Sequence, residues 1–206
     1  MQAITIGAGP YRKLADYSAA RMREMTGLET TVIDENDLRW WPVEHPAWQK
    51  LWLMHMHRGR DLLIFDADIF CMKEWQPEDF IQEYEMAAVP DMASQQVLSE
   101  CQLYGIGWGN YFNAGLMIVD GTIEVMYDAQ QYHPRYGSWL EQTAINKACW
   151  DAQVNINYMP RAYNRLLWPG RDSYEPADLK GLNVVNLHFA SMGGQHEQIL
   201  EMMKKL

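Results

Sequence analysis

The chain has no excess of positive charge and no long apolar run, and each absence excludes a class of protein. Its 17 Lys and Arg are outnumbered by 27 Asp and Glu, for a net charge of -10. Nucleic-acid binding usually depends on basic residues that neutralise phosphates, so nucleic acid is disfavoured as the main ligand. No apolar stretch approaches the ~18 residues of a membrane span. The first residues also lack the basic and apolar regions of a signal peptide.

Cysteine is scarce as well. The three cysteines, Cys71, Cys101 and Cys149, are odd in number and widely spaced, and no CxxC pair occurs. This pattern argues against a disulfide framework and a zinc site, and it fits a reducing compartment. We therefore expect a cytoplasmic protein without a transmembrane segment.

Apolar residues alternate between strand and helix periodicity along the chain. Short apolar runs predict strands at 3–7, 29–34, 62–65, 86–89, 112–119, 154–159 and 184–189. Helical spacing predicts helices at 11–25, 48–56, 123–131, 139–150 and 195–205. Strands that alternate with helices of this length indicate a mostly parallel sheet covered on both faces. Ligands bind such sheets beyond the carboxyl ends of the strands.

The strongest chemical signal is Asp66-Ala67-Asp68, which directly follows the apolar run 62–65. Two carboxylates at the end of a buried strand can reach one hard divalent cation, which prefers oxygen ligands and often bridges them to phosphates. A nucleoside diphosphate leaving group needs such neutralisation. The pattern alone is also compatible with two carboxylates that cap the following segment.

Five segments, taken in order, resemble the motif series of glycosyltransferase family 8. They are the Asp-Ala-Asp-Ile segment, Tyr-Phe-Asn-Ala-Gly-Leu-Met-Ile, Glu-Gln-Thr-Ala-Ile-Asn, Met-Pro-Arg-Ala-Tyr-Asn and Leu-His-Phe, at 66–69, 111–118, 141–146, 159–164 and 187–189. That family includes bacterial galactosyltransferases of lipopolysaccharide synthesis and the glycogenins. The ordered series is far more specific than any one of its motifs.

The resemblance implies a single GT-A, Rossmann-like α/β domain over 1–206, with a mixed, mostly parallel central sheet flanked by helices. Its nucleotide-binding half would span about 1–90 and its acceptor-side half about 91–206. The implied activity is transfer of a hexose from a nucleotide-diphosphate sugar, with UDP as the family's usual nucleotide, and with retention of anomeric configuration. The acceptor stays open among a glycan, a lipid-linked saccharide, a protein and a modified DNA base.

The resemblance also implies roles for individual residues. Asp66, Asp68 and His188 would bind Mn²⁺ or Mg²⁺. Asn113 would face the donor sugar, and the pair Glu141 and Gln142 would border the reacting carbon as catalytic residues. The remaining donor-binding residues implied are Gly7, Ala8, Gly9, Tyr11, Lys50, Ala67 and Gly193.

The chain departs from the family pattern at two positions. After His188 it lacks the Lys-Pro-Trp that commonly contacts the diphosphate, so phosphate contact is expected from Lys50, Arg58 or the backbone amides of Gly193 and Gly194. The turn after the first strand lacks the usual acidic residue, which leaves the base of the nucleotide open.

Two other functions remain open on sequence. A nucleotidyltransferase that builds a sugar nucleotide has a similar fold, and Arg12 and Lys13 are a faint version of its basic loop. A nucleotide- or glycan-binding module with a silent site is the non-enzymatic alternative. The presence of both Asp66 and Asp68 together with His188 argues against it.

Overall fold

The computed structural model describes residues 1–38, 46–57, 59–92, 94–122, 141–168, 171–190 and 195–206. The helix predicted at 123–131 lies outside these residues, as do the first residues of the helix predicted at 139–150.

Nine strands form two sheets within the described residues. They are β1 (Gln2–Ile6), β2 (Thr30–Ile33), β3 (Leu62–Phe65), β4 (Ile69–Cys71), β5 (Met86–Pro90), β6 (Phe112–Val119), β7 (Ile156–Tyr158), β8 (Arg165–Leu166) and β9 (Asn186–His188). The larger sheet has six strands in the order β2-β1-β3-β6-β5-β7, and the smaller one has the order β4-β9-β8. In the larger sheet β6 is antiparallel to both its neighbours, and the other three pairings are parallel. The predicted mixed, mostly parallel α/β sheet is confirmed.

Six α-helices accompany the sheets in the described part of the chain. They are α1 (Arg12–Thr26), α2 (Gln49–Met56), α3 (Gln95–Tyr104), α4 (Glu141–Asp151), α5 (Pro176–Lys180) and α6 (His196–Met203). Helix α1 ends as predicted at Gly27, whose φ of 72° suits a residue without a side chain. None of the helices that the structure describes is long and apolar enough to cross a membrane.

Helices cover both faces of the six-stranded sheet because its inner strands, such as β3 and β5, are apolar and buried on both sides. On one face Ile4, Ile64 and Ala88 pack with residues of α2 and α4. On the other face Ala3 and Leu63 pack against α1. The opposite side of α1 contacts α6 and the smaller sheet, which places the Met-rich C-terminal helix in the core. Burial on two faces is the reason why these strands have continuous apolar runs.

Four elements were not predicted. Strands β4 and β8 have three and two residues, too few to show a period of two. Helix α5 has five residues, and α3 buries only Val97, Glu100 and Cys101. The elements of two to five residues are too short for hydrophobic periodicity, whereas α3 had an overlooked signal in its N-cap Ser94 and in the Gly105 that ends it.

Candidate active site

Strand pairing gathers three ligand-type side chains at one edge of the larger sheet. Asp66 and Asp68 follow the end of β3. Strand β4 then pairs antiparallel with β9, so that Ile69 lies opposite His188. The backbone N–H of Phe189 also donates to the carbonyl of Asp68, at 3.0 Å. The smaller sheet therefore brings a histidine 120 positions further along the chain to the two carboxylates.

The three side chains form a compact group. His188 Nε2 lies 3.3 Å from Asp68 Oδ1 and 3.7 Å from Asp66 Oδ2. Their ligand atoms all lie within 4.8 Å of one another. Among the described residues, these three form the one group of at least three such side chains that could bind a metal ion. His188 is buried, whereas the Asp66 and Asp68 side chains are 31% and 24% exposed. The group is therefore open to an ion on its carboxylate side.

Gly115 provides the space that the imidazole occupies. It lies on β6, where the register shift against β5 falls between Ala88 and Val89. A Cβ built on Gly115 would lie 2.2 Å from His188 Cε1 and 2.8 Å from Asn113 Oδ1. Its carbonyl accepts the Asp66 N–H at 2.8 Å. The glycine of the Asn-Ala-Gly motif is therefore required because the backbone approaches the histidine closely.

A chain of hydrogen bonds determines which His188 nitrogen carries the proton. The Gly115 N–H donates to Asn113 Oδ1 at 2.9 Å, which identifies that atom as an acceptor. Asn164 Nδ2 donates to the same oxygen, so Asn164 Oδ1 accepts from His188 Nδ1 at 3.0 Å. A neutral imidazole held in this way carries its proton on Nδ1 and directs the Nε2 lone pair at the carboxylates.

A second branch orients the amide of Gln142. Its Oε1 accepts from Asn113 Nδ2 and from the Ala114 N–H, both at 3.0 Å. Because a backbone N–H can only donate, Gln142 Nε2 must be the group that donates to Asp91 Oδ2, at 2.8 Å. Asp91 Oδ1 in turn accepts the Met92 N–H at 2.6 Å. Two backbone N–H groups, of Ala114 and Gly115, thus orient the whole network.

Lys50 is buried between two carboxylates. Its ammonium lies 2.6 Å from both Asp66 Oδ1 and Glu141 Oε1, and it donates to the Ala114 carbonyl at 3.0 Å. Only 2% of the residue is exposed. Burial alone would lower the pKa of Lys50, but Asp66 and Glu141 raise it above its ordinary value, so the charge is retained. The predicted contact between Lys50 and the donor phosphates stays a prediction, because the observed partners of the ammonium are Asp66, Glu141 and a backbone carbonyl.

The electrostatic environment favours a positive charge at the carboxylate group. Burial raises the pKa of Asp66 to about 6, and Lys50 opposes this rise. Burial acts against the imidazolium of His188, but Asp68 and Asp66 raise its pKa above the ordinary value. His188 lowers the pKa of Asp68 and outweighs the effect of burial there. The two carboxylates therefore favour a positive charge at the His188 side chain, next to the position that a cation would take.

The turn after β1 lies on the same rim. Burial raises the pKa of Tyr11, and the nearby charges of Asp68 and Asp66 raise it further. Gly7 faces Val32 and Ala15, and a Cβ there would lie 2.7 and 2.9 Å from their side chains. Between Gly7 and Tyr11, Ala8 is fully buried and Gly9 has a φ of 56°.

Only some of the other predicted donor-binding residues lie in the described part of the chain. Ala67 is buried between the two aspartates at 6% exposure. Gly193, Gly194 and Arg58 lie outside the described residues. Arg12, the basic residue of the first turn, contacts Asp16 at 3.0 Å and Asp34 at 3.4 Å.

Sequence reasoning missed two residues of the network. Asp91 directly follows β5, as Asp66 directly follows β3. A carboxylate at the end of a second buried strand was therefore a sequence signal that could have identified it as a site residue. Asn164 belongs to the Arg-Ala-Tyr-Asn motif, but its position beside His188 depends on the pairing of β8 with β9. No local pattern reports that pairing.

Comparison with known proteins gives matches at the level of structure only. No family model matches the chain, and no curated protein matches its sequence. Among solved structures, the galactosyltransferase LgtC, in complex with donor and acceptor sugar analogs, superposes with a TM-score of 0.68 at 13% identity, covering 100% of this chain and 96% of that one.

Two further structures match over nearly the whole chain. The bifunctional glycosyltransferase WbbM gives a TM-score of 0.71 at 12% identity and covers 98% of this chain and 49% of WbbM. A glycosyltransferase involved in glycosylation of the major capsid of PBCV-1 gives 0.61 at 12% identity, with 100% of both chains covered. At these identities the matches show that the chain has the GT-A fold of these glycosyltransferases.

Proposed function

We propose that this protein is a metal-dependent glycosyltransferase that transfers a hexose from a nucleoside diphosphate sugar, with UDP as the nucleotide, to an acceptor hydroxyl. The observation that carries the proposal is the group of Asp66, Asp68 and His188 at the end of β3, beside an oriented amide network. The GT-A fold supports it as a scaffold that is compatible with this chemistry.

The donor set fits a divalent metal ion. Two carboxylate oxygens and one imidazole nitrogen suit Mn²⁺, and Mg²⁺ would accept the carboxylates as well. The Nδ1 proton held by Asn164 leaves Nε2 as the free ligand atom of His188. When bound, the ion would neutralise charge that develops on the leaving diphosphate.

The Gln142 amide supports transfer with retention but without a protein nucleophile. Its Oε1 already accepts two hydrogen bonds at 3.0 Å, so neither lone pair is available for attack on an anomeric carbon. We infer that the acceptor attacks on the face that the diphosphate leaves. Gln142 and Asn113 would hold the donor sugar, and Glu141 would keep Lys50 charged beside Asp66. A product of inverted configuration, seen by NMR of the released saccharide, would contradict this mechanism.

The donor-binding test is a thermal shift against a panel of nucleotide sugars, each with and without Mn²⁺. A ligand that binds the native state at about 100 times its Kd adds about 2.7 kcal/mol of stability, or roughly 5–10 °C for a chain of this size. We expect one donor to produce a shift that requires Mn²⁺ and that is lost in Asp68→Ala. The matched control Asp79→Ala, at an exposed carboxylate, should keep the shift.

Two results would count against the proposal. Absence of a metal-dependent shift for every donor would contradict a nucleotide-sugar site. Formation of a sugar nucleotide from a nucleoside triphosphate and a sugar phosphate would instead identify a nucleotidyltransferase.

Asp91 is proposed as the general base for the acceptor hydroxyl. Burial raises the pKa of its carboxyl, while Met92 N–H and Gln142 oppose this rise, and the residue lies beside the amide expected to border the reacting carbon. Asp91→Asn should lower kcat for transfer by about 100-fold, because an amide cannot accept the proton. Donor affinity in the thermal shift should stay unchanged. Unaltered kcat in Asp91→Asn would remove this role.

A further inference from the structure

A cavity lies at the C-terminal end of helix α4. It measures about 540 Å³ and opens between the last turn of α4, strand β7 and the turn Trp108–Asn110. Its wall combines the ring of Trp150, which is 40% exposed, with the polar side chains of Asn110, Asp151 and Gln153. The volume falls within the ~300–1,000 Å³ range of small-molecule pockets.

Gln153 occupies a backbone position that favours glycine. Helices α1 and α3 end at Gly27 and Gly105, with φ of 72° and 67°. At the end of α4 the corresponding residue is Gln153, with a φ of 55°. Among the described residues, Gln153 is the one non-glycine residue with a positive φ. The neighbouring Val154 N–H bonds the Cys149 carbonyl at 3.0 Å, which closes the helix.

Keeping a side chain at that position costs stability. A left-handed conformation costs a non-glycine residue roughly 1–2 kcal/mol. Gln153 nevertheless lines the cavity. A residue that is unfavourable for the fold and that faces a cavity is best explained by a ligand that uses its side chain.

Helix α4 runs from the candidate active site at its first turn to this cavity at its last turn. Gln142 contacts the Ala114 N–H, and one turn later Asn146 bonds both backbone groups of Phe112. At the end of the helix the Trp150 ring lies 3.0 Å from the Cβ position of Gly107. The eight residues from Gln142 to Trp150 span about 12 Å at 1.5 Å per residue.

The strand side of the cavity is connected to the site as well. The Asp91 N–H donates to the Tyr111 carbonyl at 2.9 Å, and the neighbouring Asn110 carbonyl accepts from the Tyr158 hydroxyl at 2.9 Å. Asp91 and the cavity wall therefore contact two consecutive residues of the chain, Tyr111 and Asn110.

We propose that this cavity is a binding site for the non-reacting sugar units of an oligosaccharide acceptor. Trp150 would stack on the apolar face of a sugar ring, and Asn110, Asp151 and Gln153 would hydrogen-bond its hydroxyls. The net charge of -10 disfavours a polyanion in the same place. The inference rests on the proposed function only in identifying the bound glycan as the acceptor.

The test is binding to an array of defined neutral oligosaccharides of two to six units, followed by calorimetry with the best-bound glycan. The array is probed with the intact chain and with Gln153→Gly, Trp150→Ala and Asp79→Ala. We expect binding to weaken about tenfold or more in Gln153→Gly and Trp150→Ala, because each removes a direct contact. Asp79→Ala, at an exposed carboxylate outside the cavity and the site, should bind the glycan like the unchanged chain.

Gln153→Gly separates a ligand contact from a role in folding. Glycine should keep or raise the melting temperature at this φ, so weaker binding in this variant cannot be due to unfolding. The proposal is overturned if the intact chain binds no oligosaccharide on the array, or if Gln153→Gly and Trp150→Ala bind as well as it does. Glycan binding without any donor-dependent thermal shift would leave the cavity site standing and reject the transferase function.

Discussion

Gly115→Ala should strongly weaken divalent-metal binding at Asp66, Asp68 and His188. The added methyl group would lie 2.2 Å from His188 Cε1, inside van der Waals contact, so the imidazole must move away. Losing a correctly placed ligand should weaken Mn²⁺ binding by about 100-fold or more and abolish metal-dependent donor binding. Crowding at a buried strand should also lower the free energy of unfolding by about 1–3 kcal/mol. Calorimetric titration with Mn²⁺ and urea unfolding measure the two effects.

Gly109→Ala is the matched control for this substitution. A Cβ at Gly109 meets no atom within 4 Å, and its φ is not among the positive values in the described chain. Its stability should change by no more than about 0.5 kcal/mol, and Mn²⁺ affinity should be unaltered. If Gly115→Ala kept Mn²⁺ affinity within twofold of the unchanged chain, the metal site could not include His188 in its observed position.

Lys50→Met should be the most destabilising single change near the site. Methionine has a similar length, but it leaves Asp66 and Glu141 without the ammonium that lies 2.6 Å from each. Removing one partner from a buried ion pair costs about 3–5 kcal/mol, because the remaining charges stay buried. The free energy of unfolding from urea titration is the measurement.

A second substitution tests whether buried charge is the cause. In a Glu141→Gln background one of the two stranded carboxylates is neutral, so Lys50→Met should cost measurably less than in the unchanged chain. Lys204→Met, which removes an exposed ion pair with Glu201, should change stability by less than about 1 kcal/mol. Equal costs of Lys50→Met in both backgrounds would show that packing, not charge, explains the loss.

The strands of the larger sheet were predictable because their signal is local. Strand β6 was predicted with the observed bounds Phe112–Val119, and β3 with Leu62–Phe65. Both are apolar runs buried on two faces, which distinguishes them from the polar turns around them. The same runs place Asp66 and Asp68 at a strand end, where carboxylates can meet a ligand.

The sequence by itself therefore determined the α/β class, the ends of β3 and β6 and the residue types for binding a cation, because each depends on neighbours within a few positions. Tertiary structure alone decided the pairing of β4 with β9 that brings His188 to the carboxylates, and the ion pair that joins Lys50 to Glu141 across 91 positions. It also revealed Asp91 as part of the network. These contacts depend on register and chain closure over long separations, which no local period encodes.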